Sequence, residues 1–172
     1  LMTALRAFAN VHRQLPDARL LVAGKLWESW TPYQRMIERL GIGEVVQCHL
    51  EYVPAERVYR YFSAADLVWL PYVQFDSQSG VGSTALAFHK PMIVTDVGGL
   101  PELTVGRRVV VPPGDANALT EATILILKDP VSLQQMARNA EFLSKALQWP
   151  DIARRTLSIY QTILGKELRK NG

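Results

Sequence analysis

Short apolar segments alternate with helix patterns along this chain of 172 residues, and this alternation limits its fold more than any other feature. The segment at residues 18–23 is apolar at almost every position, which is typical of a strand covered on both faces. Strand–helix alternation with short connections predicts an α/β fold with a doubly wound, mostly parallel sheet and helices on both faces. Ligands of such sheets bind outside the carboxyl ends of the strands. The predicted strands lie at residues 18–23, 45–50, 67–70, 91–97 and 107–111.

Helix start and stop signals separate the predicted strands. Thr31 and Pro32 predict a helix start in which the Thr31 hydroxyl is the N-cap, and Gly41 predicts the end of that helix. Pro54 precedes the next helix pattern. The carboxyl-terminal part of the chain is predicted to be helical, with helices that begin at residue 116, near residue 132 and after residue 151.

The first residues already form a helix pattern, because Leu1, Leu5, Phe8 and Val11 share one stripe. No capping residue precedes this stripe, and a domain rarely begins in the middle of a helix. We therefore expect the sequence to be a piece of a longer protein.

The composition is that of an ordinary globular domain. A hydrophobic content of 48% with 20% charged residues argues against disorder. Cys48 is the only cysteine, so no intrachain disulfide can form, and a reducing, cytoplasmic location is expected. The sequence has neither an apolar run of membrane-spanning length nor a His or Cys cluster with metal-ligand spacing. We expect no metal site.

Basic residues gather at the carboxyl terminus, where Lys166, Arg169 and Lys170 contribute to a net charge of +3. The simpler interpretation is a solvated helix end. The alternative is a weak attraction to an anionic surface, which would give a weak peripheral membrane association. Since no basic stripe with interleaved aromatic residues accompanies the cluster, we expect no nucleic-acid partner.

Small polar residues and glycines follow the predicted strand at residues 67–70 and lead into the next helix pattern. The first turn of a helix has N–H groups without intrahelical partners, and the helix dipole adds positive charge there. A phosphate would satisfy both, and glycines would let it approach the backbone. A well-capped buried helix explains the same residues equally well, because no complete phosphate-loop motif is present. The residues concerned are Ser77, Gln78, Ser79, Gly80, Gly82, Ser83 and Thr84.

The segment KPMIVTDVGGLPE at residues 90–102 resembles a signature of the retaining GT-B glycosyltransferases of family four, the glycogen-synthase-like or group 1 class. Three further stretches resemble this family in the same order, at residues 20–24, 52–71 and 149–160. The resemblance implies that residues 1–172 form the carboxyl-terminal, Rossmann-like domain of a two-domain enzyme, which binds the nucleotide sugar. The first strand of this domain and the amino-terminal acceptor domain would then lie before Leu1.

The resemblance also implies site residues. The family carries two glutamates separated by seven residues, and these fall on Asp76 and Thr84 here. Asp76 keeps a carboxylate near the donor sugar, whereas Thr84 replaces the acid that usually holds the ribose hydroxyls. The loop from Ser77 to Val81 would hold the distal phosphate through backbone N–H groups near Gly80. The full set implied to bind the donor is Gly24, Lys25, Tyr52, Val53, Asp76, Ser77, Gln78, Ser79, Gly80, Val81 and Thr84.

Several of these positions have plainer interpretations. Lys25 is equally compatible with a solvated surface lysine, and Tyr52 with a packed residue at the rim. Gly98 and Gly99 let backbone approach the cleft but also suit a plain turn. His89 lies where the family usually has glycine, and we interpret it as a cation at a helix end.

The function implied by the resemblance is transfer of a hexose from a nucleotide-diphosphate sugar to an acceptor, with no cofactor and a role in carbohydrate biosynthesis. We expect this piece alone to be inactive. The alternative is a catalytically degenerate nucleotide-binding or interaction module, which Thr84 in place of a glutamate suggests. A nicotinamide dehydrogenase is a third hypothesis, but the sequence has no glycine fingerprint followed by a ribose-binding acid.

Overall fold

The computed structural model describes residues 1–170, with side chains as far as residue 164. The side chains of Lys166, Arg169 and Lys170, on which the membrane alternative depends, therefore lie outside the described residues. Within residues 1–170, no helix combines the length and apolar character needed to cross a bilayer. The elements are α1 Met2–Gln14, β1 Leu20–Ala23, α2 Thr31–Leu40, β2 Val46–His49, α3 Ala55–Ala64, β3 Val68–Leu70, α4 Gly80–Ala87, β4 Met92–Thr95, β5 Val110–Val111, α5 Ala116–Leu127, α6 Pro130–Ala146 and α7 Trp149–Lys170.

All strand pairs that the structure describes are parallel, as the alternation predicts. Strands β1 and β2 form one pair, with Leu21 opposite Gln47. Strands β3, β4 and β5 form a second group in that order, with Val94 of β4 opposite Leu70 and Val110. The α/β class with parallel strands and surrounding helices is confirmed.

Strand β4 shows that helices cover both faces of the sheet. Met92 and Val94 pack in a core cluster with Leu86 of α4 and Ala140 of α6. Ile93, which points the other way because side chains alternate along a strand, packs with Ala7 of α1 and with α5. Helices therefore lie on both faces, as predicted.

The two groups of strands share a core. Trp69 of β3 packs against the cluster that contains Val46 of β2 and Leu5 of α1. The same indole also packs against the cluster that contains Ile93 and Val109. Helix α1 contributes to both clusters, so it spans the two groups of strands.

The prediction that the first strand is covered on both faces is wrong. Leu21 of β1 is 37% exposed and Ala23 is also exposed, whereas all of β4 is buried. Exposure alternates along β1, so the face of the sheet to which Leu21 and Ala23 point is less covered than the opposite face. Strand β4 has a partner strand on each side, but β1 pairs only with β2 and β3 only with β4 among the described residues. Both β1 and β3 therefore have one free edge.

The predicted helix ends agree with the structure where they depend on backbone conformation, and less well where they depend on a capping side chain. Gly41 ends α2 with φ +66°, in the left-handed region that glycine tolerates. The prediction that Thr31 is the N-cap of α2 is wrong, because Trp30 is the N-cap and no side chain accepts a hydrogen bond there. Helix α6 begins at Pro130, ahead of the expected residue 132. Its N-cap Asp129 accepts hydrogen bonds from the Ser132 hydroxyl and from backbone N–H groups, and these lower the pKa of the carboxyl.

Two other boundaries differ from the expectation. The run at 107–111 is a 3-10 turn over Arg107–Val109, and only Val110–Val111 forms strand β5. Gly106, with φ +97°, turns the chain there and leaves both arginines exposed, so only the last residues reach the sheet. The last helix already begins at Trp149.

Candidate functional site

The polar junction lies where β3 ends and α4 begins, so the predicted helix amino terminus is present. Ser79 is the N-cap of α4 and has extended backbone angles. Its buried hydroxyl oxygen accepts a hydrogen bond from the Gly82 N–H at 3.1 Å. One of the first-turn N–H groups is therefore satisfied by the protein itself.

The N–H groups of Gly80 and Val81 are different, because neither has an acceptor in the part of the chain that the structure describes. Both residues are exposed, Val81 to 48%. We call these two groups the amide pair. They point out of the first turn of α4, where the helix dipole is positive, and this arrangement favours an anion.

The two glycines of the junction have different roles. A Cβ atom at Gly80 would have no neighbour within 4 Å, so the space beside the amide pair is open. A Cβ atom at Gly82 would overlap the Leu103 side chain and approach Leu70. Gly82 is therefore required for packing, and the expectation that it opens the backbone to a ligand is wrong.

The loop from Pro71 to Ser79 is attached to β4 at its beginning. Thr95 is 1% exposed, and its Oγ1 lies 2.7 Å from the Tyr72 carbonyl oxygen and 3.2 Å from that of Leu70. The hydroxyl donates to these carbonyls, and the Tyr72 ring stacks on Phe75 with centroids 4.8 Å apart. The sequence analysis missed Thr95, although a hydroxyl inside an apolar strand is a visible signal.

The end of the loop meets the turn after β4. Gly98 has φ +52°, and a Cβ atom there would overlap the Phe75 carbonyl oxygen. Gln78 lies over Gly99, and its Nε2 donates a hydrogen bond to Glu102 Oε2 at 3.1 Å. One of the two side-chain N–H groups of Gln78 is thus already used, and Glu102 is a second residue that the sequence analysis missed.

Asp76 and Thr84, the two positions that the resemblance aligns with the glutamate pair, are both on this segment. Thr84 lies one turn after Gly80 and donates its hydroxyl hydrogen to the Gly80 carbonyl at 2.8 Å. Its oxygen can still accept a hydrogen bond. Asp76 is exposed, and its carboxylate accepts no hydrogen bond from any residue that the structure describes.

The remaining predicted residues follow β1 and β2 and are not joined to the amide pair by any hydrogen bond among residues 1–164. Gly24 has φ +139° and donates to the His49 carbonyl at 3.0 Å. Lys25 is exposed, with Nζ 5.9 Å from the ring centroid of Trp27. Tyr52 is 70% exposed, so the packed interpretation of its side chain is wrong, while Val53 is half-buried. All lie at carboxyl ends of parallel strands.

Comparison with known proteins identifies related sequences and folds. The family profile described as "Glycosyl transferases group 1" matches residues 1–142. The structure resembles sucrose-phosphate synthase from Thermosynechococcus elongatus with a TM-score of 0.77 and 25% identity, over 95% of this chain and 43% of that one. No curated protein sequence gave a match.

Two further structures show the same fold. HepE from Anabaena, solved in complex with UDP-glucose, gives a TM-score of 0.77 at 20% identity over 95% of this chain and 44% of its own. The C-terminal domain of the group 1 family glycosyl transferase LpcC from Francisella tularensis gives a TM-score of 0.74 at 15% identity, over 85% of this chain and 77% of its own. This chain therefore spans less than half the length of the synthase and of HepE.

Proposed function

Because this chain belongs to the group 1 glycosyl transferases, we propose that it is the donor-binding half of a hexosyltransferase. Its substrate is a nucleotide-diphosphate sugar, and the hexose passes to an acceptor with retention of configuration at the anomeric carbon. The observation that carries this proposal is the amide pair of Gly80 and Val81, which is exposed, lies at a helix amino terminus and has no acceptor among the residues that the structure describes. HepE, which has the same fold and was solved in complex with UDP-glucose, supports the donor class.

The amide pair would contribute to catalysis through the leaving group. Breaking the bond between sugar and diphosphate places negative charge on the departing phosphate, and N–H donors fixed in advance stabilise that charge. The exposed Asp76 carboxylate precedes them on the same loop and is proposed to lie near the sugar. The Thr84 hydroxyl oxygen is proposed to accept from a single ribose hydroxyl.

We also propose the domain organisation that the resemblance implies, with residues 1–172 as the carboxyl-terminal domain. The free edges of β1 and β3 support a further parallel strand between them. The resulting order would be β2, β1, the added strand, β3, β4 and β5, which is the order of doubly wound dinucleotide-binding sheets. An acceptor domain and a cytoplasmic location, the latter from the single cysteine, remain predictions.

Replacement of Gly80 by proline tests the proposal, because it removes one N–H of the amide pair and little else. Proline is favoured at the first position of a helix. Ser79 already has φ −81° and ψ 117°, which a residue before proline adopts readily. The matched control is Gly80→Ala, which keeps the N–H and meets no neighbour within 4 Å.

The measurement is calorimetric titration with UDP, GDP and ADP. We expect one of these nucleotides to bind, Gly80→Ala to bind similarly, and Gly80→Pro to bind roughly 10- to 100-fold more weakly, since hydrogen bonds to charged groups contribute about 1.5–3 kcal/mol. Equal affinities for the proline and alanine variants would exclude the amide pair as the diphosphate site. No binding of any nucleotide would favour the interaction module that Thr84 suggests.

A further inference from the structure

We infer that Glu102 is a positioning residue that fixes the amide pair through Gln78. We call the contact between Gln78 Nε2 and Glu102 Oε2 the latch. The inference rests on the proposed function, because it concerns the same phosphate-binding loop. The inference adds Glu102, a residue that lies outside the loop and is not proposed to contact the donor.

The latch joins two segments that are far apart in sequence. Gln78 and Glu102 are 24 residues apart, and their side chains meet at 3.1 Å. Gln78 directly precedes the N-cap Ser79, so its position sets where the first turn of α4 begins. Glu102 belongs to the 3-10 turn Leu100–Leu103, whose Leu100 is fully buried. The loop residue Gln78 is thus held by a turn that is anchored in the core.

Glycines provide the surface on which Gln78 lies. A Cβ atom at Gly99 would overlap the Gln78 side-chain amide, so glycine there lets the amide reach Glu102. At the neighbouring Gly98, the backbone packs directly against the Phe75 carbonyl. The Gly98–Gly99 pair therefore serves the contact between loop and turn.

The Leu100–Leu103 turn holds the amide pair from both sides. Ahead of the pair, Glu102 accepts from Gln78. Behind it, Leu103 packs against Gly82 so closely that a Cβ atom has no room. Gly80 and Val81 lie between these two attachments. Since preorganised donors stabilise developing charge best, fixing both flanks favours anion binding.

The hydrogen-bonding chemistry of Gln78 and Glu102 predicts which substitutions break the latch and which restore it. A carboxylate only accepts hydrogen bonds, whereas an amide both donates and accepts. Gln78→Glu places two carboxylates together and breaks the latch. The double variant Gln78→Glu with Glu102→Gln restores one amide–carboxylate hydrogen bond in the opposite direction and has the net charge of the wild type.

Two measurements on this chain test the inference. Hydrogen exchange of the Gly82 and Ser83 N–H groups, which both bond Ser79, reports the first turn of α4 without any nucleotide, and titration with UDP, GDP and ADP reports the site. We expect Gln78→Glu and Glu102→Ala to exchange faster and bind about three- to tenfold more weakly, within the range for one hydrogen bond. The double variant should return to within about twofold of the wild type.

The matched control is Gln74→Glu, the same change on an exposed residue of the same loop that forms no hydrogen bond among the described side chains. It should change neither measurement. A double variant that behaves like Gln78→Glu, or unchanged exchange in Glu102→Ala, would overturn the latch. If the wild type binds no nucleotide, the proposed function fails, and the exchange data still decide whether the latch exists.

Discussion

At the scale of single residues, His89 occupies a backbone conformation that favours glycine. Helix α4 ends in a Schellman motif, in which Lys90 N–H bonds the Ala85 carbonyl and His89 N–H bonds the Leu86 carbonyl. This motif places His89 at φ +53°, a region that glycine adopts without cost. His89 lies at the end of α4, as the sequence predicts, but its left-handed backbone conformation is strained for a residue that has a Cβ atom.

Replacing His89 by glycine should stabilise the domain. The side chain is exposed, so no packing is lost, and relief of the left-handed conformation should raise the unfolding free energy by about 0.5–1 kcal/mol. Urea denaturation measures the change. The control His89→Ala removes the same imidazole beside Glu141 but keeps the strain, so a gain in both variants would contradict this explanation.

Cys48 packs against the core around β2. Burial raises the pKa of its thiol, so the sulfur is protonated at neutral pH. The thiolate is the reactive form of cysteine, and a raised pKa makes it scarce. The residue is therefore a packing group of the core around β2, as its contacts with the cluster of Leu5 and Met36 indicate.

At the scale of elements, β4 and the turn that follows it determine the shape of the loop from Pro71 to Ser79. Thr95 fixes the start of the loop and Gly98 its middle, while Gln78 is fixed by Glu102. The loop has no regular hydrogen-bond ladder of its own, so its conformation depends on these attachments. A substitution in the turn at Gly98 should therefore destabilise the domain through its contact with the loop.

Gly98→Ala should show this dependence. A methyl group at φ +52° is strained and would also overlap the Phe75 carbonyl, so we expect a loss of about 2–4 kcal/mol in unfolding free energy. Gly114→Ala is the matched control, because Gly114 has φ +78° but open space around it. It should lose only about 1 kcal/mol. Equal losses in thermal denaturation of the two variants would show that the contact with Phe75 is unimportant.

At the scale of the whole molecule, α7 does not belong to the packed core. Its described side chains after Ile152 are exposed, and they include large apolar residues. Exposed apolar area of this kind is typical of a surface that contacts another protein surface. The exposed apolar residues of this helix are Trp149, Leu157, Ile159, Tyr160, Ile163 and Leu164.

The same substitution on two helices tests this division. Ile163→Asp on α7 should change the unfolding free energy by less than about 0.5 kcal/mol, because the side chain is already 51% exposed. Ile126→Asp on α5 should cost more than about 3 kcal/mol, since that side chain is buried in the core. Denaturation followed by circular dichroism measures both. A large loss at residue 163 would mean that α7 packs on the domain.

The sequence alone was enough for the order of strands and helices, their parallel arrangement and the location of the junction. These follow from local signals: apolar runs, Gly41 in its left-handed cap, and small polar residues before α4. Local signals were less reliable where two residues compete for one role. Thr31 has the better capping side chain, yet Trp30 is the cap.

Only the tertiary structure decided which groups of the junction are free. Ser79 satisfies the Gly82 N–H and Leu103 fills the space beside Gly82, so within the first turn of α4 the N–H groups without an acceptor among the described residues are those of Gly80 and Val81. Leu21 was likewise expected to be buried and is exposed, because the face of β1 to which it points is less covered than the other. The physical reason is the same throughout. Strand and helix preferences depend on neighbours within a few residues, whereas hydrogen-bond satisfaction and burial depend on segments that only the folded chain brings together.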